Sequence, residues 1–235
     1  MAFGLRRAPV KHLLLSRASR KRGARTLWPP AGITIRMSKG APGVRYAEVE
    51  REAAGLRVRV VLDLDGGTKR DSASGVPYFD RLLCLLALTG QVDLGVQVEG
   101  SHPEDDHHAL VEVGIALGQA FRAALAESDP PQRVATATVP KEDALVLASV
   151  DVQARGALHT DLAFASRVVG GVATQSLLEF LRCFASQAGI ALHVRKIAGE
   201  NDHHVFEAVF KAIGLALCAA TRVADRRNPS GKGTD

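Results

Sequence analysis

Between Leu56 and Leu62 apolar and polar residues alternate, with Leu56, Val58, Val60 and Leu62 against Arg57 and Arg59. A period of two predicts a strand with one wet face over 54–66, stopped by the Gly66–Gly67 pair. In "SGVPYFDRLLCLLALTG" (74–90) the pattern changes to a helical stripe, with Pro77 at its start and Gly90 at its close. "VDLGVQVEG" (92–100) alternates again and predicts a second strand. Over 107–126, Leu110, Val113, Leu117, Phe121 and Leu125 fall at steps of three and four, a helix that Asp105 and Asp106 are suited to cap. "SDPPQR" (128–133) is a break. After it come strands in "ATATVP" and "ALVLASVDVQARG", a helix over 173–188, a strand in "IALHVRKI" and a helix over 203–223.

Strand, strand, helix, strand, helix, passed through twice, predicts an internal duplication. The register agrees: Asp106-His107-His108 meets Asp202-His203-His204 at an offset of 96, and Val113, Ala116, Ala120, Ala123 and Ala124 then meet Val209, Ala212, Ala216, Ala219 and Ala220. The expected class is α+β, with a first half-repeat at 45–132, a second at 133–226 and a C-terminal tail at 227–235.

Charge is distributed unevenly. Met1 to Arg45 holds 11 Lys and Arg and no acid, which leaves 19 basic against 25 acidic residues for the rest. An acidic body argues against a nucleic-acid surface. The acid-free leader, set apart as residues 1–40, fits an organelle transit peptide (chloroplast or another organelle), a start misassigned upstream of Met37 with a cytoplasmic protein, or a basic nucleic-acid arm. No apolar run of the ~18 residues a membrane span needs stands out. Cys84, Cys183 and Cys218 are scattered, which suggests a reducing compartment and buried, inert thiols.

The histidine pairs carry the candidate chemistry. On a helix Glu207 shares a face with His203 and His204, while adjacent side chains diverge by ~100°. Each pair therefore suits two ions on either side of a helix start better than one, and imidazoles with a carboxylate suit Mn²⁺, Fe²⁺ or Zn²⁺. The alternative is that such pairs are capping or surface residues. His12, His102 and His159 show no partner in the sequence, and His193 fits a half-buried strand position.

"LHVRKIAGENDHHVFEAVFKA", "RYAEVERE", "VRVVLDLDG", "DDHHALVEVGIALGQA" and the tail "NPSGKG" follow one another as in imidazoleglycerol-phosphate dehydratases, the dehydratases of histidine biosynthesis. The resemblance covers about residues 45–233. It implies two similar halves, each a four-stranded sheet backed by helices, in a large homo-oligomer (a 24-mer in the family) with active sites between subunits. It further implies two Mn²⁺ per subunit, held by six histidines and two glutamates, and conversion of imidazole glycerol phosphate to imidazole acetol phosphate.

Carried over position by position, the metal ligands His107, His108, His203, His204 and Glu207 remain. Arg81 in "YFDRLL" replaces a ligand histidine, Glu179 in "LEFL" replaces another, and Val111 replaces the first-half carboxylate. Glu179, and Glu112 beside Val111, stand as substitute ligands, and an Arg81–Glu179 ion pair is expected across the pseudo-symmetric positions. Gly55 replaces an acid thought to face the substrate, while Leu85 and Thr89 replace a glutamine and a histidine. The residues that grip the phosphate in the family are kept as Arg133, Arg155, Lys211, Ser230 and Lys232, with Gly231 in place of a threonine. Two readings follow: an active manganese-dependent hydro-lyase, or an impaired relative that binds phosphate or serves as a structural subunit, alone or mixed with an active copy.

Overall fold

The computed structural model describes residues 32–37, 45–100, 106–126 and 128–224. The first sheet is formed by β1 (Gly32–Met37), β2 (Tyr46–Ala53), β3 (Leu56–Asp63), β4 (Arg70–Ala73) and β5 (Asp93–Gly100), in the order β1-β2-β3-β5-β4. The second is formed by β6 (Val134–Lys141), β7 (Ala144–Val152), β8 (Ala157–Thr160) and β11 (Ile190–Ala198), in the order β6-β7-β11-β8. A small hairpin, β9 (Val168–Val169) with β10 (Val172–Ala173), precedes α3. The helices are α1 (Pro77–Gly90), α2 (His107–Leu125), α3 (Thr174–Ala188) and α4 (Asp202–Ala220).

The alternation in β3 sends Leu56, Val58, Val60 and Leu62 inward, each at most 3% exposed. Burial of each such side chain contributes about 1.5–3 kcal/mol. The stripe of α2 is likewise inward at Leu110, Val113, Leu117 and Phe121, with Leu125 partly covered. α1 and α2 pack on the first sheet, α3 and α4 on the second, and the helices then pair across the halves, α1 with α4 and α2 with α3. Phe79, Phe180 and Phe210 join the two helix layers. Two like halves are thus packed helix layer to helix layer, with their sheets outermost.

Several expectations need correction. Gly32–Met37, within the residues set apart as a leader, pairs antiparallel with β2, which gives the first sheet a fifth strand. Asp106 precedes α2 in helical conformation and makes no side-chain cap, whereas Asn201 caps α4 by accepting from the His203 amide at 3.0 Å. Cys84 is exposed, because it lies on the outer side of α1, while Cys183 and Cys218 are half-buried. His193 is exposed and stacks on His159 at 4.6 Å, since parallel β8 and β11 set the two side by side. α4 is long and apolar enough to cross a membrane, and here it is a core helix.

Candidate active site at the helix entrances

Among the described residues α1 runs parallel to α4 and α2 parallel to α3, so the first turns of each pair meet. The start of α1 lies on the start of α4, where the Tyr78 and His203 rings are 4.9 Å apart. The start of α3 lies on the start of α2, where Ser176 Oγ is 3.2 Å from His107 Nδ1. Tyr78 and Ser176 hold equivalent places in the two halves, and each touches the first histidine of the other half's pair. Each entrance is therefore made by a short helix of one half and a long helix of the other. The ring planes of His107 and His108 are inclined at 83° and those of His203 and His204 at 78°, with centroids 5.8 and 6.2 Å apart.

At the α1/α4 entrance Glu207 is 2% exposed. Arg81 reaches over from α1 and donates to its Oε1 from Nε at 2.8 Å, and its Nη2 lies 2.7 Å from the same oxygen as an ion pair. His203 Nε2 is 3.4 Å from the same oxygen, and Lys141 Nζ is 3.9 Å from Oε2. Burial pushes the Glu207 carboxyl up, but the hydrogen bond and charge of Arg81, with His203 and Lys141, hold it below the usual carboxylate range. Tyr78, buried beside this carboxylate, has its phenol pushed up by burial and by Glu207. Asp143 accepts the amides of Glu200 at 2.7 Å and Asn201 at 3.0 Å, and its other oxygen is 2.6 Å from His204 Nδ1. These hydrogen bonds, that of Asn201 foremost, hold its carboxyl well below the usual range. Asp143 thereby fixes the His204 ring and leaves Nε2 as its outward atom.

The α2/α3 entrance differs. Val111 offers no donor. Glu112 does not turn toward His108: it is buried beneath α2, where Arg51 Nε and Nη2 donate to its Oε2 at 3.1 and 3.0 Å. The residue after Val111 points ~100° away from it on a helix, toward the sheet. Glu179 pairs with Arg182 of its own helix at 3.1 Å. The expected Arg81–Glu179 pair is absent for the same topological reason: α1 faces α4, so Arg81 meets Glu207. Among the described residues no three or more His, Cys, Asp and Glu side chains converge as a metal group.

The remaining altered positions have structural reasons. Ala54 (φ 54°) and Gly55 (φ 78°) form the tight β2–β3 turn, where positive φ suits glycine. Leu85 packs against the core, and Thr89 Oγ1 donates to the Leu85 carbonyl at 2.9 Å. Of the phosphate set, Arg133 donates to Asp151 Oδ1 from Nε at 3.2 Å and Nη2 at 3.1 Å, Arg155 is exposed after β7, and Lys211 is half-buried one turn beyond Glu207. Ser230 and Lys232 lie outside the described residues, as do His12 and His102. The Arg133 amide donates to Ala220, the last residue of α4. With 1.5 Å of rise per residue, Arg133 is therefore about 25 Å from His203. Sequence reasoning did not find Tyr78, Lys141, Asp143 or Ser176. Asp143 carried no signal there because it lies in a β-turn, and Tyr78 was hidden in an apolar stripe.

The sequence profile of imidazoleglycerol-phosphate dehydratase matches residues 74–217. The chain belongs to that family. It is 38% identical over 189 residues to the imidazoleglycerol-phosphate dehydratase of Caldicellulosiruptor saccharolyticus, covering 80% of this chain and 97% of the relative. With that of Thermoanaerobacter pseudethanolicus it shares 42% identity over 192 residues, 81% of this chain and 99% of the relative. Crystal structures of the Staphylococcus aureus and Pyrococcus furiosus enzymes superpose with a TM-score of 0.67 each, at 26% and 29% identity. They match 75% and 77% of this chain and 98% and 97% of their own. The two-halved α+β fold is thus that of the family.

Proposed function

We propose that this chain acts in histidine biosynthesis as a dehydratase of imidazole glycerol phosphate, giving imidazole acetol phosphate. The observation that supports this best is family membership across both halves, together with histidine pairs at equivalent places in the two halves. Such a dehydration takes a proton from carbon and expels a hydroxyl group as water. Histidine is the side chain suited to exchanging protons near neutral pH. On this reading His204, whose ring Asp143 orients, moves the proton, and His203 flanks it. Arg155 and Lys211, with Arg133, Ser230 and Lys232, suit the charge of a phosphate monoester. Arg133 and His203 lie at opposite ends of α4, which supports a site completed between two copies of the chain.

The donors present do not fit the two manganese ions that the resemblance implies. Glu207 is engaged by Arg81, Val111 has no donor atom, and Glu179 and Glu112 are each bound to an arginine. No step is therefore assigned to a metal. The Arg81–Glu207 bridge favours a second reading, a relative with reduced activity that retains the assembly. Complementation of a dehydratase-null, histidine-requiring strain separates the two. Growth without histidine is expected, and failure to grow despite normal expression and assembly supports the second reading.

A further inference from the structure

We propose that Arg81 is the resident cation of the α1/α4 entrance, a guanidinium standing where the family's ligand positions would place a metal ion. The inference rests on the family reading of those positions, and it goes further by assigning the charge that replaces the ion.

A carboxylate as buried as Glu207 needs a partner that stays charged. Arginine does so at any physiological pH, and its planar fork can address one carboxylate through two N–H groups. Arg81 donates through Nε with Nη2 held 2.7 Å from the same oxygen, while Lys141 and His203 flank Glu207 from β6 and from one turn back on α4. A divalent ion bound to Glu207 would lie against this guanidinium. Like charges about 4 Å apart repel, so the ion and the guanidinium compete for the same carboxylate.

The same compensation extends to the other entrance. Glu179 has Arg182 and the neighbouring Glu112 has Arg51, while Val111 carries no charge to balance. Glu207, Glu179 and Glu112 thus each have an arginine partner. This is the pattern expected of an entrance that reaches charge balance from its own side chains.

The test is manganese uptake by the assembled full-length protein, stripped with EDTA, equilibrated with MnCl2 and analysed by atomic emission. Glu207→Gln is expected to leave the manganese content per chain unchanged. Arg81→His is expected to raise it by about one ion, and Arg81→His/Glu207→Gln to abolish that gain. EDTA is expected to leave the melting temperature of the unaltered protein unchanged. A loss of manganese on Glu207→Gln would overturn the assignment, as would a folded Arg81→His protein that gains none. Should Arg81→His not fold, Glu207→Gln alone decides, because it leaves the exposed Arg81 in place. An inactive protein with Glu207-independent manganese content counts against the dehydratase reading and leaves Arg81 as assigned. An active protein whose manganese content falls on Glu207→Gln does the reverse.

Discussion

Arg51 and Glu112 form a charge pair that is almost out of water, with side chains 6% and 3% exposed. Removing one partner strands the other in the core. Glu112→Gln is therefore expected to cost about 3–5 kcal/mol in a denaturant titration. Arg51→Met/Glu112→Leu should recover most of that loss, and a double variant as unstable as the single would argue against the pair. Asp93 presents the exposed case. Its Oδ1 accepts the amides of Lys69, Gly67 and Thr68 at 2.7–2.8 Å, and these bonds, that of Lys69 first, lower its pKa. A carboxylate with a lowered folded pKa stabilises fully above its unfolded value, ~pH 4, and loses that contribution as pH falls through the folded value. Asp93→Asn should cost about 1 kcal/mol at neutral pH, given the partial solvent exposure. The gap should close in acid, and one that persists unchanged to pH 2 would exclude the charged cap.

At the scale of elements, the duplication has a packing cause. Gly118 and Gly214 are equivalent positions, and each lets a long helix approach a short one closely. A Cβ at Gly118 would lie 2.7 Å from both Gln187 Cβ and the Phe184 carbonyl oxygen. One at Gly214 would overlap Thr89 and lie 2.5 Å from the Leu86 carbonyl oxygen. Either glycine-to-alanine change should destabilise by about 1–3 kcal/mol or more, read as a lower melting temperature. Thr89→Ala should relieve Gly214→Ala only in part, because backbone also blocks it. The long helices and β3, β5, β7 and β11 were legible in the sequence because apolar burial sets their period, and the mostly exposed β6 was legible from the alternation of Val and Ala with Thr. β2 was not, since the buried ion pair puts Arg51 where a periodic pattern expects an apolar residue. β4 and β8 are four-residue parallel edge strands with too little apolar content to show. β1 is written in strongly basic sequence, where composition hid the strand. The partner of Arg81 was misread because equivalent positions suggested a pair with Glu179. The helices pair across the halves, and local periodicity carries no information about that.

For the whole molecule, the consequence lies in where the two functional groups stand. The histidine entrances share one end of the helix layers, and Arg133 and Arg155 share the other, where β7 finishes beside the end of α4. A substrate as small as a phosphorylated imidazole cannot bridge about 25 Å of α4, so under the proposed function the phosphate grip of one copy is expected to serve the histidines of another. Mixed assembly tests this directly. Arg155→Ala and His204→Ala chains are each expected to be inactive when expressed alone. When co-expressed, random assembly pairs an intact arginine with an intact histidine at about a quarter of the sites if two chains build each one. Activity near that fraction of the unaltered protein, found only in the co-assembled sample, is the expected result. Mixing the two proteins after separate assembly should give none until subunits exchange. A site contained within one chain predicts no recovery at any mixing ratio, because every chain then carries a lesion in its own site. The outcome thus decides whether the catalytic unit is the fold or the contact between folds.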